Sequence, residues 1–394
     1  MSSSARILLW TDDPGRGGVA QYNDALVHAL LAAGHEVHLV QTQTDTPLVA
    51  RQAAAGIQHH WLGYDTSAEF GRGLTDLDTP AQILGQVSPD LVVFSDGCPL
   101  SNLAAREHAR TSGLPYFCVV GFAAPYLARQ FAQGIPLLAR QYAAAGEVVA
   151  VSRHNLDLLH RNFGLPHGLG RVIHYGRPDT FFAPRRDDVR TALRAQLGLA
   201  PDTVLALTTA RLTKIKGYLH LLSAVASLRA AGRARNVHYV WLGEGDQRPQ
   251  LETEIRHLGL EKRISLLGHR WDTADWYDAA DCYLLPTENE GMPLAIMEAM
   301  AKGLPIAASA VSGIPEELAN TGVLLPDPTQ RPTDAVRLLA QTIDRWSTSP
   351  ADRHRLGRAA HDRATQCFRE ARMLQETVQL IENLLPHTPA AHAA

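Results

Sequence analysis

Arg211 and Lys216 stand five residues apart in TVLALTTARLTKIKGYLHLLSAV, where an apolar run gives way to a helical pattern. Two cations at the carboxyl edge of a strand, beside a helix N-terminus, can clamp a diphosphate and take up the charge that forms on it when a bond breaks. Only four of the 37 basic residues are lysines (Lys214, Lys216, Lys262 and Lys302). A compact ammonium suits a point contact with phosphate, and Lys216 is the one placed for it. Its neighbour Lys214 reads as a solvated loop residue. Further on, ENEGMPLAIMEAMAKGLP puts Glu290 in a loop and Glu298 eight residues later inside a helix. Both can face one ligand, Glu290 near a reacting end and Glu298 deeper. Backbone amides of Gly291, Met292 and Leu294 at the helix start suit a phosphate; Pro293 has no N–H but fits a first turn. Gly243, in the turn Gly243-Glu244-Gly245, lets a planar base or another backbone come close.

Other candidate motifs carry less. Gly15, Gly17 and Ala20 fit G-x-G-x-x-A, but Thr11–Pro14 separate them from the preceding strand. The nearby acid, Glu36, starts the second strand instead of ending it, which argues against a nicotinamide site. Gly17 and Gly18 still open a helix N-terminus, where free amides favour anions or hydroxyls; a plain strand-to-helix turn is the alternative. Asp76-Leu77-Asp78 lies in a polar loop, not at the end of an apolar strand, so it is not read as a metal-binding D-x-D pair. H-E-x-x-H, G-x-S-x-G and G-x-x-x-x-G-K-[ST] are all absent, which removes the main support for a zinc hydrolase, a serine hydrolase or a P-loop enzyme.

The elements that position these residues follow from hydrophobic periodicity. Apolar runs at Ile7–Trp10, Val37–Val40, Leu91–Phe94, Phe117–Val120 and Val148–Val151 alternate with helical patterns such as Val19–Ala33. After a proline- and charge-rich stretch at 176–188, read as a linker, the alternation restarts. Its runs are Val204–Thr208, Tyr239–Leu242, Ile264–Leu267, Cys282–Leu285 and Ile306–Ala308, with helices at Tyr218–Arg229 and Leu294–Ala301. Strands apolar on both faces, with helices between, predict parallel sheets in two doubly wound α/β halves. Such halves hold ligands at the carboxyl ends of their strands. Residues 332–346 and 350–385 read as helical, and the tail from Pro386 as frayed.

Length and composition agree. The chain has 394 residues and a net charge of −3, enough for two domains and too neutral for a nucleic-acid coat. The four cysteines, Cys98, Cys118, Cys282 and Cys367, form no metal or disulfide pattern, which predicts a reducing, cytoplasmic setting. The first residues lack a signal-peptide pattern, and no apolar run is long enough to span a bilayer. Residues 1–180 carry 12 arginines, no lysine and 15 acids, so strong docking to an anionic membrane is not expected. Peripheral contact, through Arg129, Arg140 and Arg153, is compatible with the composition.

The second half resembles the retaining glycosyltransferases of the GT-B fold, family 4 in particular. The resemblance runs in order through R-x-x-x-x-K-G, Gly-Glu-Gly, Gly-His-Arg, E-G-x-x-L-x-x-x-E-A-M-A-x-G-x-P and S-G-I-P-E. The first half matches more weakly, at Gly17-Gly18, Ala150-Val151-Ser152 and Val172-Ile173-His174-Tyr175-Gly176. The resemblance implies two Rossmann-like domains facing across a cleft: an acceptor domain over 1–180, with a C-terminal helix at about 373–386 packed back on it, and a donor domain over 181–372. It implies that Arg211 and Lys216 bind the donor diphosphate, Glu290 the donor sugar and Glu298 the ribose. It places Gly243, Arg270 and Trp271 around the base, and Gly17 and Gly18 near phosphate or acceptor. The activity implied is sugar transfer from a nucleotide-diphosphate sugar to a sugar, glycan or glycolipid hydroxyl, with retained configuration and no metal or other cofactor. A disaccharide synthase or phosphorylase acting on a small sugar, and a non-catalytic sugar-nucleotide-binding protein, are the competing readings. The sequence departs from the family in one place. Many members carry a histidine in a T-x-H segment where this chain has Gly121, and the strand that often ends H-x-H ends Phe94-Ser95-Asp96-Gly97. Asp96 and Tyr126 are the candidates to serve the acceptor side instead.

Overall fold

The computed structural model describes residues 4–385 apart from Pro14, Arg16 and Ser67. The tail from Pro386 and the last residue of the expected C-terminal helix lie outside the described residues. The chain divides into two compact units, residues 1–175 with the segment from Ala371 onward, and Gly176–Glu370.

In the first unit, seven parallel strands form one sheet in the order β3-β2-β1-β4-β5-β6-β7. They are β1 (Arg6–Thr11), β2 (Glu36–Thr42), β3 (Gln58–Leu62), β4 (Leu91–Asp96), β5 (Tyr116–Val120), β6 (Glu147–Ala150) and β7 (Arg171–Val172). The central strands are apolar on both faces because helices cover both sides; Leu8, Trp10, Val92, Phe94 and Cys118 share one buried cluster. In the Gly18–Ala32 helix, Tyr22, Leu26 and Leu30 face the interior, while Leu31 is only partly covered. The helix Glu370–Leu384 belongs to this unit: Glu382 approaches His35 at 3.8 Å, and Arg372 donates to the His174 carbonyl.

The second unit repeats the pattern with six parallel strands in the order β10-β9-β8-β11-β12-β13. They are β8 (Val204–Thr209), β9 (Val237–Leu242), β10 (Ile264–Leu266), β11 (Cys282–Leu285), β12 (Ile306–Ser309) and β13 (Val323–Leu325). The order in which strands are added reverses between β1 and β4 and between β8 and β11, and such switch points mark where doubly wound sheets take ligands.

Two features differ from the periodicity reading. Strands β7 and β13 were not expected, and of β3 only a surface strand end at His59-His60 was. All three are edge strands; β3 and β7 lack the doubly apolar signature, since an edge strand has fewer neighbours to bury its side chains, whereas β13 (Val-Leu-Leu) is apolar but only three residues long. The stretch 176–188 is not a solvated linker. It contains the short helix Asp179–Phe182, and its arginines are anchored in the second unit. Arg185 donates to the Asp278 carbonyl, and Arg186 Nε lies 2.9 Å from Asp278 Oδ2. The composition was charged because the charges are paired, with Lys302 closing on the other Asp278 oxygen at 2.8 Å.

Candidate active site

At the carboxyl end of β8 the chain leaves into a short 3-10 turn, Lys214–Lys216, and then the Tyr218–Ala230 helix. Gly217 joins them at φ +72°, a left-handed conformation, and a Cβ there would collide with the Pro286 carbonyl. That contact holds the turn against the loop after β11: the Glu288 amide and the Thr287 hydroxyl both donate to the Ile215 carbonyl, at 2.7 and 2.8 Å. Lys216 Nζ consequently reaches Glu290 Oε1 at 2.7 Å, with both side chains mostly shielded from solvent. The Glu290 amide donates to Ser312 Oγ, which donates to Asn289 Oδ1 at 2.7 Å, and the Gly313 amide donates to the Gly291 carbonyl. Glu290 is therefore fixed from two sides, by β8 and by the loop after β12.

Arg211 lies at the end of the same strand with an exposed side chain. Its guanidinium makes no ion pair or hydrogen bond with another described residue, so it is free to meet a ligand. The turn after β9 packs beneath it: a Cβ on Gly243 would collide with the Ala210 carbonyl, and the Gly243 amide donates to Gly268. The requirement for glycine there is thus a close backbone approach. The loop after β10 carries Arg270, held in a fork on Asp272 with Nε 2.8 Å from Oδ1, and Trp271, which is 58 % exposed. The helix Leu294–Ala301 follows Pro293, with Gly291 and Met292 buried at its entry.

Glu298 lies inside the Leu294–Ala301 helix, as expected, and has a partner there that the sequence did not show. It is buried and forms an ion pair with Arg177, whose amino group lies 2.8 Å from Glu298 Oε1. Burial pushes the Glu298 carboxyl above the ordinary carboxylate range, against the pull of Arg177 and of the Tyr277 hydroxyl. In this state the carboxylate is engaged by the protein itself, and ribose hydroxyls would have to share it. Arg177 was missed in the sequence because it sits in the stretch read as linker. Glu317, a second buried carboxyl in the same unit, has no side-chain hydrogen bond, and burial pushes it well up.

In the first unit, Gly17 and Gly18 open the Gly18–Ala32 helix. Asp13 folds over this turn: its Oδ1 accepts the Gly15 amide at 2.7 Å, and its Oδ2 lies 3.0 Å from where a Cβ on Gly17 would be. The protein's own carboxylate thus already stands at this helix start. Asp96, the sequence candidate for the acceptor side, is engaged within the first unit. It is fully buried, ion-paired with Arg106 at 3.1 Å and accepting from Asn102 Nδ2 at 2.8 Å, because it ends a central strand beneath the following helix. Burial pushes its carboxyl up to about 7 against the pull of Arg106. Asp12 bridges two loops, accepting from the Gly97 amide at 2.6 Å and from the Ser101 hydroxyl; burial raises it to about 6. Tyr126 is 46 % exposed on the short helix Pro125–Gln130. Asp76 is spent in the polypeptide, accepting the Asp78 and Thr79 amides at the start of the next helix.

This arrangement agrees with what the chain matches. The family model described as "Glycosyl transferases group 1" matches residues 189–363, and that described as "Glycosyltransferase Family 4" matches residues 16–181. The chain belongs to the group 1, family 4 glycosyltransferases. Among curated relatives of this glycosyltransferase is a D-inositol 3-phosphate glycosyltransferase of Streptomyces bingchenggensis, 32 % identical over 228 residues, or 55 % of this chain and 48 % of the relative. Another is an alpha-maltose-1-phosphate synthase of Mycobacterium tuberculosis, 27 % identical over 248 residues, 60 % of this chain and 63 % of the relative. The chain thus spans about half of the first of these relatives and less than two thirds of the second. Among solved structures, a sucrose-phosphate synthase from Thermosynechococcus elongatus superposes with a TM-score of 0.79 at 22 % identity, covering 96 % of this chain and 99 % of that one. Anabaena HepE, solved with UDP-glucose, superposes with a TM-score of 0.78 at 18 % identity, covering 96 % and 100 %. Both likenesses show the GT-B fold. Among the described residues of this glycosyltransferase, no helix is long and apolar enough to cross a membrane.

Proposed function

We propose that this glycosyltransferase moves a sugar from a nucleotide-diphosphate donor to an acceptor hydroxyl with retained anomeric configuration and without a metal. The observation that carries the reading is the Lys216–Glu290 pair at the carboxyl edge of the second sheet, with the free Arg211 on the same strand end. Breaking the anomeric C–O bond builds negative charge on the diphosphate and positive charge on the ring. Arg211, Lys216 and the amides at the Leu294 helix start oppose the first charge, so a divalent ion is not needed for it. Glu290 accepts from donor sugar hydroxyls and holds the reacting carbon in place. The departing phosphate takes the acceptor proton on the same face of the sugar, which keeps the configuration. Arg270 and Trp271 line the base, and an exposed tryptophan ring offers a stacking surface.

The acceptor is a sugar or polyol, free, phosphorylated or lipid-linked. A small-sugar acceptor, as in a disaccharide synthase, is favoured by the likeness to enzymes whose names state phosphorylated products. The test is a thermal-shift panel of UDP-glucose, GDP-mannose and ADP-glucose, since a ligand that binds only the folded state raises the melting temperature. Transfer from the donor so found is then measured to myo-inositol, myo-inositol 3-phosphate, glucose, glucose 1-phosphate and fructose 6-phosphate. An α-linked product from an α-linked donor is expected. A β-linked product overturns retention. Nucleotide binding with no turnover of any donor favours the non-catalytic reading.

A further inference from the structure

Glu317 is a buried carboxyl that the transfer reading leaves unused. It lies in the short helix Ile314–Leu318, directly after the turn that pins Glu290. Ser312 Oγ and the Gly313 amide hold the backbone of Glu290 and Gly291. One helical turn later, the Glu317 amide donates to the Gly313 carbonyl at 2.9 Å. The Glu317 side chain is fully buried, and neither of its oxygens makes a hydrogen bond with a described residue.

Four groups face this carboxyl. They are Glu290 from the loop after β11, Arg363 from the helix Pro350–Cys367, the Met297 amide from the helix Leu294–Ala301, and Glu316 beside it on its own helix. Arg363 is the one cation among the four, and its donors go elsewhere. Its Nε donates to the Glu317 carbonyl at 2.7 Å and its Nη2 to the Glu316 carbonyl at 2.6 Å. A carboxylate buried without a close counter-ion or hydrogen bonds is strongly disfavoured, and such a group keeps its proton instead. Burial acts in this direction at Glu317, as does the charge of Glu290, against the pull of Arg363.

We infer that Glu317 is a positioning residue for Glu290: as an uncharged carboxylic acid it leaves Glu290 the one negative charge beside Lys216, and donor binding weakens when it ionises. The inference rests on the reading of Lys216 and Glu290 as donor-binding groups. Lys216 Nζ meets Glu290 Oε1 at 2.7 Å, and a second buried negative charge behind Glu290 would repel both that carboxylate and an incoming diphosphate. Glu317 touches neither donor nor acceptor in this account. It acts only through the charge it withholds.

The experiment uses the full chain and the nucleotide sugar that the thermal-shift panel selects. An infrared difference spectrum of wild type minus Glu317→Gln at pH 7 is expected to show the C=O stretch of one protonated carboxyl. The pH is then raised while that band and the donor Kd are followed together. Wild-type affinity is expected to fall about tenfold or more over the interval in which the band disappears, and that of Glu317→Gln and Glu317→Met less than about threefold. The urea midpoint of wild type should fall relative to Glu317→Gln as pH rises above the ordinary carboxylate range, because the folded state holds a proton that the unfolded chain has lost. No band at pH 7 overturns the inference, since Glu317 is then already charged. A band that outlasts the folded state overturns it too, as does one that disappears while wild type and both variants keep parallel affinities. If no nucleotide sugar binds wild type, the donor reading itself has failed, and the infrared and urea comparisons separate that outcome from an error about the charge of Glu317.

Discussion

Lys216 Nζ and Glu290 Oε1 lie 2.7 Å apart, although 74 residues separate them in the chain. Each member is already engaged by the other, so a diphosphate and a sugar bound there would each draw one partner from the pair. Removing either partner leaves the other uncompensated and deprives the donor of one contact. Lys216→Ala and Glu290→Ala should each lower transfer at least about a hundredfold. Both variants should keep a cooperative melt. The double variant should be little worse than the poorer single one, because the two groups act as a unit. Initial rates with saturating donor check this, and wild-type-like turnover in either single variant sinks the assignment.

Arg177 and Glu298 form a pair of another kind, buried on both sides. Truncating one member leaves a charge inside the protein. Arg177→Ala is expected to destabilise the second unit by about 3 kcal/mol. Glu298→Gln, which keeps the shape and one acceptor oxygen, should cost less. Urea denaturation of the three proteins measures the difference. Equal stability of wild type and Arg177→Ala would show that the pair is open in solution.

Gly217 is expected to tolerate no side chain. With φ +72° and the Pro286 carbonyl against it, Gly217→Ala should cost at least about 2 kcal/mol and displace Lys216. Gly34→Ala is the control: its φ is +93°, but nothing lies within 4 Å of the added Cβ, so only the backbone cost of about 1 kcal/mol applies. Melting temperatures that fall equally in the two variants would refute the steric account.

Asp12 links stability to pH. Its ordinary value is 3.8 and its folded value about 6. Between these values the folded protein holds a proton that the unfolded chain has lost. The stability from this group is therefore full below about pH 4 and falls as pH rises to about 6. A loss of about 1–2 kcal/mol is expected, less than the full shift implies because Asp12 is only partly covered. Asp12→Asn should flatten this part of the profile. Denaturation midpoints at pH 4.5, 5.5 and 6.5 decide it; identical slopes in both proteins would remove Asp12 as the cause.

Most of the fold was legible in the sequence because buried parallel strands must be apolar on both faces. Runs such as Leu91–Phe94 and Cys282–Leu285 stood out for that reason. The edge strands β3 and β7 did not, since an edge carries no such demand, and β13 is too short to register as a run. Of the candidate site residues, Lys216 and Glu290 stood out in the sequence by residue type, and the structure brings them into contact.

Residue type and hydrophobic spacing alone specify the two doubly wound halves and the identity of the charged groups near their strand ends. Which of those groups are already engaged emerged only once the chain was folded. Asp96 and Glu298 look like site carboxylates in one dimension, yet Arg106 and Arg177 engage them inside the protein. Tyr175 and Gly121 lie 54 positions apart in the chain, and only folding brings the tyrosine hydroxyl against the glycine. The physical reason is the same in each case. Periodicity reports the burial of a residue's own element, whereas pairing and steric exclusion depend on partners that the chain delivers from elsewhere.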